Sequence, residues 1–279
     1  MIMSENKAAN RKLVLLLIIV VSIIILIACA LRLSLYSLDA YEDSLDNAKL
    51  KKMVGESSVT LTQDFETGRY VVSDEGNAST APEEKKVLSK YQTLYDLNPD
   101  IVGWISIDGT NVDYPVMQTV YDEEYYLHRN YYKEETKSGL PFMDNRCITR
   151  LPSTNLIIYG HNMKSGAMFA DLLKYESKSY YEKHKYIRFD TIYEEAMYEI
   201  IAVFKSNVSY VGENTFKFYN FIQADTPEEF ETYYNTIRSM SLYDIEATAV
   251  NSDYLITLST CEYSVEDGRF VVVARRISN

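Results

Sequence analysis

The pattern of apolar and polar positions divides the chain into three unequal parts. From Leu13 to Leu31 the positions are apolar apart from Ser22 and Cys29. About 20 such residues are what a helix needs to cross roughly 30 Å of hydrocarbon, so this segment predicts a membrane-spanning helix. From Leu33 to about Thr80 the sequence is polar and mixed, with Gly55, Gly68 and Gly76 scattered through it, which predicts a stalk. Within it, Ser37 to Met53 has partial helical character and Tyr70-Val71-Val72 suggests a short strand.

Regular periodicity begins near Pro82. Val87, Leu88, Tyr91, Leu94 and Tyr95 recur at helical spacing from a start at Thr80 to Glu84 until Asn98-Pro99 stops them. The period then changes to two. Val102 to Ile107 and Val112 to Val116 flank Asp108-Gly109, a hairpin signal. Further strand candidates are Leu156 to Tyr159, Tyr186 to Phe189, Ala196 to Lys205, Tyr254 to Thr260 and Arg269 to Arg275. Short strands at such intervals favour a barrel or sandwich. Two helices interrupt them, one around Met168 to Tyr175. The other begins at Thr226-Pro227-Glu228-Glu229, with Phe230, Tyr233, Tyr234 and Ile237 on one face. The expected architecture is a mainly β, closed barrel with peripheral helices behind a single membrane helix. The expected boundaries are a cytoplasmic tail 1–12, an anchor 13–32, an extracytoplasmic stalk 33–80 and a catalytic domain 81–279.

Charge sets the orientation. Lys7, Arg11 and Lys12 precede the apolar run, while Asp39, Glu42, Asp43 and Asp46 follow it, so the N-terminus stays in the cytoplasm and the remainder lies outside. Cleavage as a signal peptide, or lipidation at Cys29 within Leu26-Ile27-Ala28-Cys29, would deliver the remainder to the same side. The net charge of −12 argues against a nucleic-acid partner.

Three cysteines occur, and outside the apolar run only Cys147 and Cys261 remain. No disulfide framework is visible, although a Cys147–Cys261 bridge is a possible pairing. Candidate chemistry concentrates where strands meet loops: Tyr159-Gly160-His161-Asn162, Ser259-Thr260-Cys261-Glu262 and Gly268-Arg269. The short connection from Glu262 to Gly268 predicts a hairpin that returns Arg269 beside Cys261. Arg275, six residues on, lies about 20 Å away. A thiol, an imidazole that exchanges a proton with it and an arginine that binds an oxyanion suffice for acyl transfer. His128 and His184 are weaker candidates. No ligand spacing around Cys261 or His161 suggests zinc, and no phosphate loop is present, so neither metal nor cofactor is expected.

Three separated motifs, Asn-Leu-Ile-Ile-Tyr-Gly-His161-Asn-Met, Thr-Leu-Ser-Thr-Cys261-Glu-Tyr-Ser and Gly-Arg269-Phe-Val-Val-Val-Ala-Arg, make the chain resemble a class B sortase from about Asn98 to Ile277. Asn98-Pro99-Asp100-Ile101-Val102-Gly103-Trp104, Gly139 to Asp144 and the long helix near Thr226 support the likeness. The resemblance implies a transpeptidase. In it Cys261 attacks the carbonyl of a Thr in a C-terminal sorting signal, His161 acts as acid and base, and Arg269 steadies the oxyanion. It makes Ser259 a substrate-contacting serine and Glu262 a residue flanking the substrate groove, and Thr260 between them is a further substrate-binding candidate. It implies secreted proteins as donors and an amino group of a peptidoglycan precursor or pilin as acceptor. A catalytically silent assembly module and a cysteine hydrolase are the alternatives.

Overall fold

The computed structural model describes residues 2–56, 85–207, 216–262 and 267–277. It resolves into two compact units, 1–46 and 47–279. The first unit holds most of helix α1 (Ile2–Glu56). Part of α1 is long and apolar enough to cross a membrane, with a mean hydropathy of 3.1 over its most apolar window. None of that stretch is buried against the protein.

The second unit starts earlier than the boundary at residue 81. The last turns of α1 pack on the barrel: Leu50 is buried, Asn47 Nδ2 donates to the Asp113 carbonyl at 3.1 Å, and Lys51 pairs with the Asp113 carboxylate at 2.9 Å. Part of the sequence read as stalk, up to Glu56, is therefore a docked helix. Leu50, Met53 and Val54 carry an apolar stripe that a composition-based reading averages away. The strand suggested at Tyr70 to Val72 and the helix start at Thr80 to Glu84 lie outside the described residues. Helix α2 runs from Ser89 to Leu97 and buries Tyr91 and Leu94.

Eight strands close a barrel: β1 (Ile101–Ser106), β2 (Asp113–Met117), β3 (Phe142–Met143), β4 (Asn155–Tyr159), β5 (Tyr186–Thr191), β6 (Met197–Asn207), β7 (Leu255–Cys261) and β8 (Gly268–Arg276). Their order around the wall is β1-β2-β3-β4-β7-β8-β6-β5, with β5 closing on β1. Closure removes both sheet edges. The expected β1–β2 hairpin is present, and Gly109 takes the positive φ of 74° that its turn requires. The two-residue β3 was not legible in the alternation because so short a strand has no period to show.

β4 and β7 lie parallel at the centre of the site-bearing wall, with Tyr159 opposite Ser259. The helix expected at Met168 to Tyr175 is instead a 3-10 helix from Ala170 to Glu176, followed by the short helix α3 (Lys178–Tyr181). Helix α4 (Pro227–Met240) starts as its sequence predicts: Thr226 Oγ1 accepts from the Glu229 amide, and Glu229 Oε2 accepts from the Asp225 amide at 2.8 Å. Its buried face, Phe230, Tyr233 and Ile237, covers Ile201, Phe204, Leu255, Val271 and Val273 on the outside of the barrel. Ile256, Leu258, Val272 and Ala274 alternate into the interior core. Both faces of β7 and β8 are therefore covered, and their sequences read as continuous apolar runs.

Candidate active site

Three neighbouring strands end at one place. Gly160 and His161 follow the last residue of β4, Cys261 ends β7, and Arg269 lies at the start of β8, directly across the ladder from Cys261. The backbone pins the first two ends together: the Gly160 amide donates to the Ser259 carbonyl at 3.1 Å, and Thr260 Oγ1 donates to the Gly160 carbonyl at 2.7 Å. Asn162 Nδ2 adds a bond to the Cys261 carbonyl at 3.1 Å. Gly160 is required by space, because a Cβ there would stand 2.7 Å from the Phe169 ring. His161, Cys261 and Arg269 line a cleft of about 340 Å³ with Ser259, Thr260 and Tyr159.

The cleft has two further walls that the sequence did not announce. One comes from Glu123, Glu124 and Leu127, around the 3-10 turn Tyr125–His128, and the other from Phe218 and Tyr219 in the 3-10 turn Phe218–Asn220. The first wall is held from behind. Asn98 Nδ2 donates to the Tyr126 hydroxyl at 2.7 Å, and that hydroxyl donates to Asp100 Oδ2 at 2.7 Å. No periodicity marks such a wall, since its shape comes from buried polar bonds and turns.

His161 is partly buried, and its Nε2 lies 2.9 Å from the Leu127 carbonyl. Burial holds its imidazole below its ordinary pKa, and the nearby His128 ring acts in the same direction, against the Leu127 carbonyl. The two rings stand 5.4 Å apart. Cys261 is half-buried and free, and Arg269 Nη1 donates to the Gly268 carbonyl at 3.0 Å and the Asp267 carbonyl at 3.3 Å. The guanidinium is thus held at the mouth of the β7–β8 hairpin.

The remaining candidates separate by position. Ser259 is 1% exposed and its Oγ has no hydrogen-bond partner among the described residues, although it borders the cleft. Thr260, 2% exposed, spends its hydroxyl on Gly160. Glu262 follows β7 within 4.0 Å of Lys205 Nζ and is not among the residues lining the cleft. Cys147 is buried behind β4, where burial pushes its thiol up to about 12. It is free, so the Cys147–Cys261 bridge is absent. His184 Nδ1 is bonded to the Asp108 carbonyl, away from the cleft. Arg275 lies opposite Leu255 and pairs with Glu199 at 2.9 Å. Among the described residues, no group of three or more His, Cys, Asp or Glu is arranged to hold a metal ion.

A family model, the sortase domain, matches residues 105–277, and Sortase B of Listeria monocytogenes is 36% identical over 206 residues, covering 72% of this chain and 80% of that protein. The chain belongs to the sortase family. Its relatives and structural neighbours place it in class B, and it is a cysteine transpeptidase. The crystal structure of sortase B from B. anthracis in complex with AAEK1 superposes with a TM-score of 0.68 at 28% identity, covering 87% of this chain and 99% of that one. The Staphylococcus aureus sortase B–substrate complex gives a TM-score of 0.61 at 31% identity, covering 69% and 86%. The closed eight-stranded sortase barrel with peripheral helices is therefore the fold of this chain.

Proposed function

We propose that this sortase cleaves a C-terminal sorting signal of secreted proteins after Thr and transfers the acyl product to an amino group of a peptidoglycan precursor or pilin. The observation that carries the reading is the meeting of Cys261, His161 and Arg269 in one cleft at the ends of β4, β7 and β8. His161 takes the Cys261 thiol proton, and the resulting thiolate attacks the Thr carbonyl, whose electrons move onto oxygen. Arg269 donates to that oxyanion. When the tetrahedral centre collapses, the C–N bond breaks and His161 protonates the leaving amine. The incoming amine then gives its proton to His161 as it displaces the sulfur from the thioester.

The hydrogen bond to Leu127 fixes which imidazole atom exchanges the proton. A carbonyl only accepts, so Nε2 carries a hydrogen and Nδ1 is left to take and return the mobile proton. Ser259, with an unspent buried hydroxyl beside the cleft, is the better placed of the substrate-binding candidates. Thr260 acts by fixing the Gly160 turn, and Glu262 acts from outside the cleft lining. In the same reading, residues 13–32 anchor the chain in a membrane with residues 1–12 cytoplasmic and the catalytic domain outside.

The test is incubation of the full chain in detergent with a library of sorting-signal peptides, reading cleavage and the mass of a thioacyl adduct on Cys261. Adduct and peptide cleavage are expected, with amide product when an amine is added. A parent chain that forms no adduct would mark a silent assembly module. Release of free acid at the same rate with and without amine would mark a hydrolase.

A further inference from the structure

Behind the cleft, outside the three residues of the proposed chemistry, one arginine joins the floor to the aromatic wall. Arg146 Nε and Nη2 grip the two oxygens of Asp144 at 2.8 and 2.6 Å, and Nη2 also donates to the Tyr219 carbonyl at 2.7 Å. Asp144 is 1% exposed and also accepts from the Tyr159 hydroxyl at 3.0 Å. Burial pushes the Asp144 carboxyl up, but the Arg146 bonds outweigh it and hold the group below its usual range. Tyr159 and Tyr219 both line the cleft. The ion pair thus ties the end of β4, which presents His161, to the turn that forms the opposite wall.

We propose that Arg146 is a positioning residue for donor-peptide recognition, holding the Phe218–Tyr219 wall at the width the peptide needs. The proposal rests on the cleft being the donor site. Farther along, the wall segment is fastened independently: Asn155 Nδ2 donates to the Phe221 carbonyl at 2.8 Å, and the Thr154 amide donates to Gln223 Oε1 at 3.1 Å. Phe218 is buried in the core beneath α4. Loss of Arg146 therefore frees Tyr219 locally and leaves the barrel closed. The bridge needs a planar fork that reaches two oxygens of one carboxylate and a carbonyl together, which a lysine ammonium does not reproduce.

The test measures binding without chemistry. A fluorescein-labelled peptide containing Asn-Pro-Ala-Thr, of the Asn-Pro-x-Thr pattern that the resemblance to class B sortases implies for a donor, is titrated by anisotropy into the full chain carrying Cys261→Ala, alone and combined with Arg146→Ala, Arg146→Lys or Arg146→Gln. Loss of a charged hydrogen bond that shapes a wall corresponds to a rise in Kd of about tenfold for Ala and Lys, and less for Gln. In the chain with Cys261 intact, kcat for cleavage stays within about threefold and alkylation of Cys261 by a small thiol reagent is unchanged, because the strand ends remain in place. Unchanged Kd in Arg146→Gln and Arg146→Lys, full recovery by Lys, or no binding by the Cys261→Ala parent overturns the proposal. Peptide binding to Cys261→Ala with no cleavage by the parent would count against the proposed reaction and leave this inference standing. The Gln variant, which keeps two methylenes of the stem and an uncharged NH2 donor, decides the matter if the Ala variant unfolds.

Discussion

The Leu127 carbonyl and the His161 imidazole meet at 2.9 Å, so the orientation of the proposed acid–base residue is set by the backbone of a different wall of the cleft. That backbone is in turn held by Gly139. With φ at 54°, Gly139 packs so closely that a Cβ would stand 2.1 Å from the Leu127 oxygen and 2.5 Å from the Tyr126 oxygen. Gly139→Ala is expected to push Leu127 off its position and lower kcat by about 10- to 100-fold, the scale for misplacing a reacting group by roughly 1 Å. Gly109→Ala is the control, since it carries a comparable positive φ but meets only the tip of the His184 ring. Equal kcat in the two variants would show that the Leu127 contact does not set His161.

Burial of His161 gives a second outcome. Its folded pKa lies below the ordinary value of about 6.5, so the unfolded chain binds the proton first as the pH falls. The stability associated with neutral His161 is present above pH ~6.5 and declines below it. A proton NMR titration of the imidazole should give a midpoint below 6.5. A midpoint at or above that value would show that the Leu127 carbonyl outweighs burial.

The two cysteines of the second unit should separate cleanly. Cys147 is enclosed, bonded weakly to the Asn155 carbonyl and the Ile157 amide, and pushed up to about 12, so almost none of it is thiolate at pH 8. Cys261→Ala should abolish adduct formation with the fold intact, and Cys147→Ala should retain activity. Peptide cleavage by Cys261→Ala at the parental rate would sink the proposed mechanism.

Truncation tests where the folded unit begins. A chain starting at Leu33 should be soluble and active, because it keeps the docked end of α1. A chain starting at Ser57 loses buried Leu50 and both contacts to Asp113, at a cost of about 2 kcal/mol and a Tm lower by roughly 4–8 °C. Equal melting temperatures for the two chains would show that residues 47–56 add nothing to the barrel.

Much of this was readable from the sequence because it depends on local periodicity. The alternation through Leu255 to Cys261, the short β7–β8 connection and the capping pattern at Thr226 each report a nearby physical constraint. That was enough to place Arg269 beside Cys261 and Arg275 far from it. His161 was a candidate from its place at a strand end, but nothing local reveals that β4 and β7 are parallel neighbours. The Leu127 carbonyl was invisible, because a backbone atom has no residue signature. Asp144 and Arg146 are two residues apart, but their bond to Tyr219 spans 73 positions and belongs to the tertiary fold. The docked end of α1 was missed because a polar stretch with three apolar residues on one face averages to a linker.

Arg269 and Arg275 stand six residues apart on one strand and provide the sharpest comparison. Arg269 faces Cys261 across the ladder, and its guanidinium is steadied by the hairpin carbonyls of Asp267 and Gly268. Arg275 faces Leu255 and is spent on Glu199. A planar guanidinium can keep such a carbonyl contact and still present a second N–H to an oxygen gaining charge, whereas lysine offers one flexible ammonium with a different reach. Arg269→Lys should therefore lose about 2.7–4 kcal/mol of transition-state stabilisation, or roughly 10²–10³ in turnover, with a smaller change in peptide affinity. Arg275→Lys should keep the parental kcat and lose only modest stability, because the surviving ammonium can still pair with Glu199. Single-turnover cleavage and thermal melts on both variants separate the two effects. Parental turnover in Arg269→Lys together with a collapse in Arg275→Lys would move the oxyanion role away from the hairpin mouth and require a different donor at the cleft.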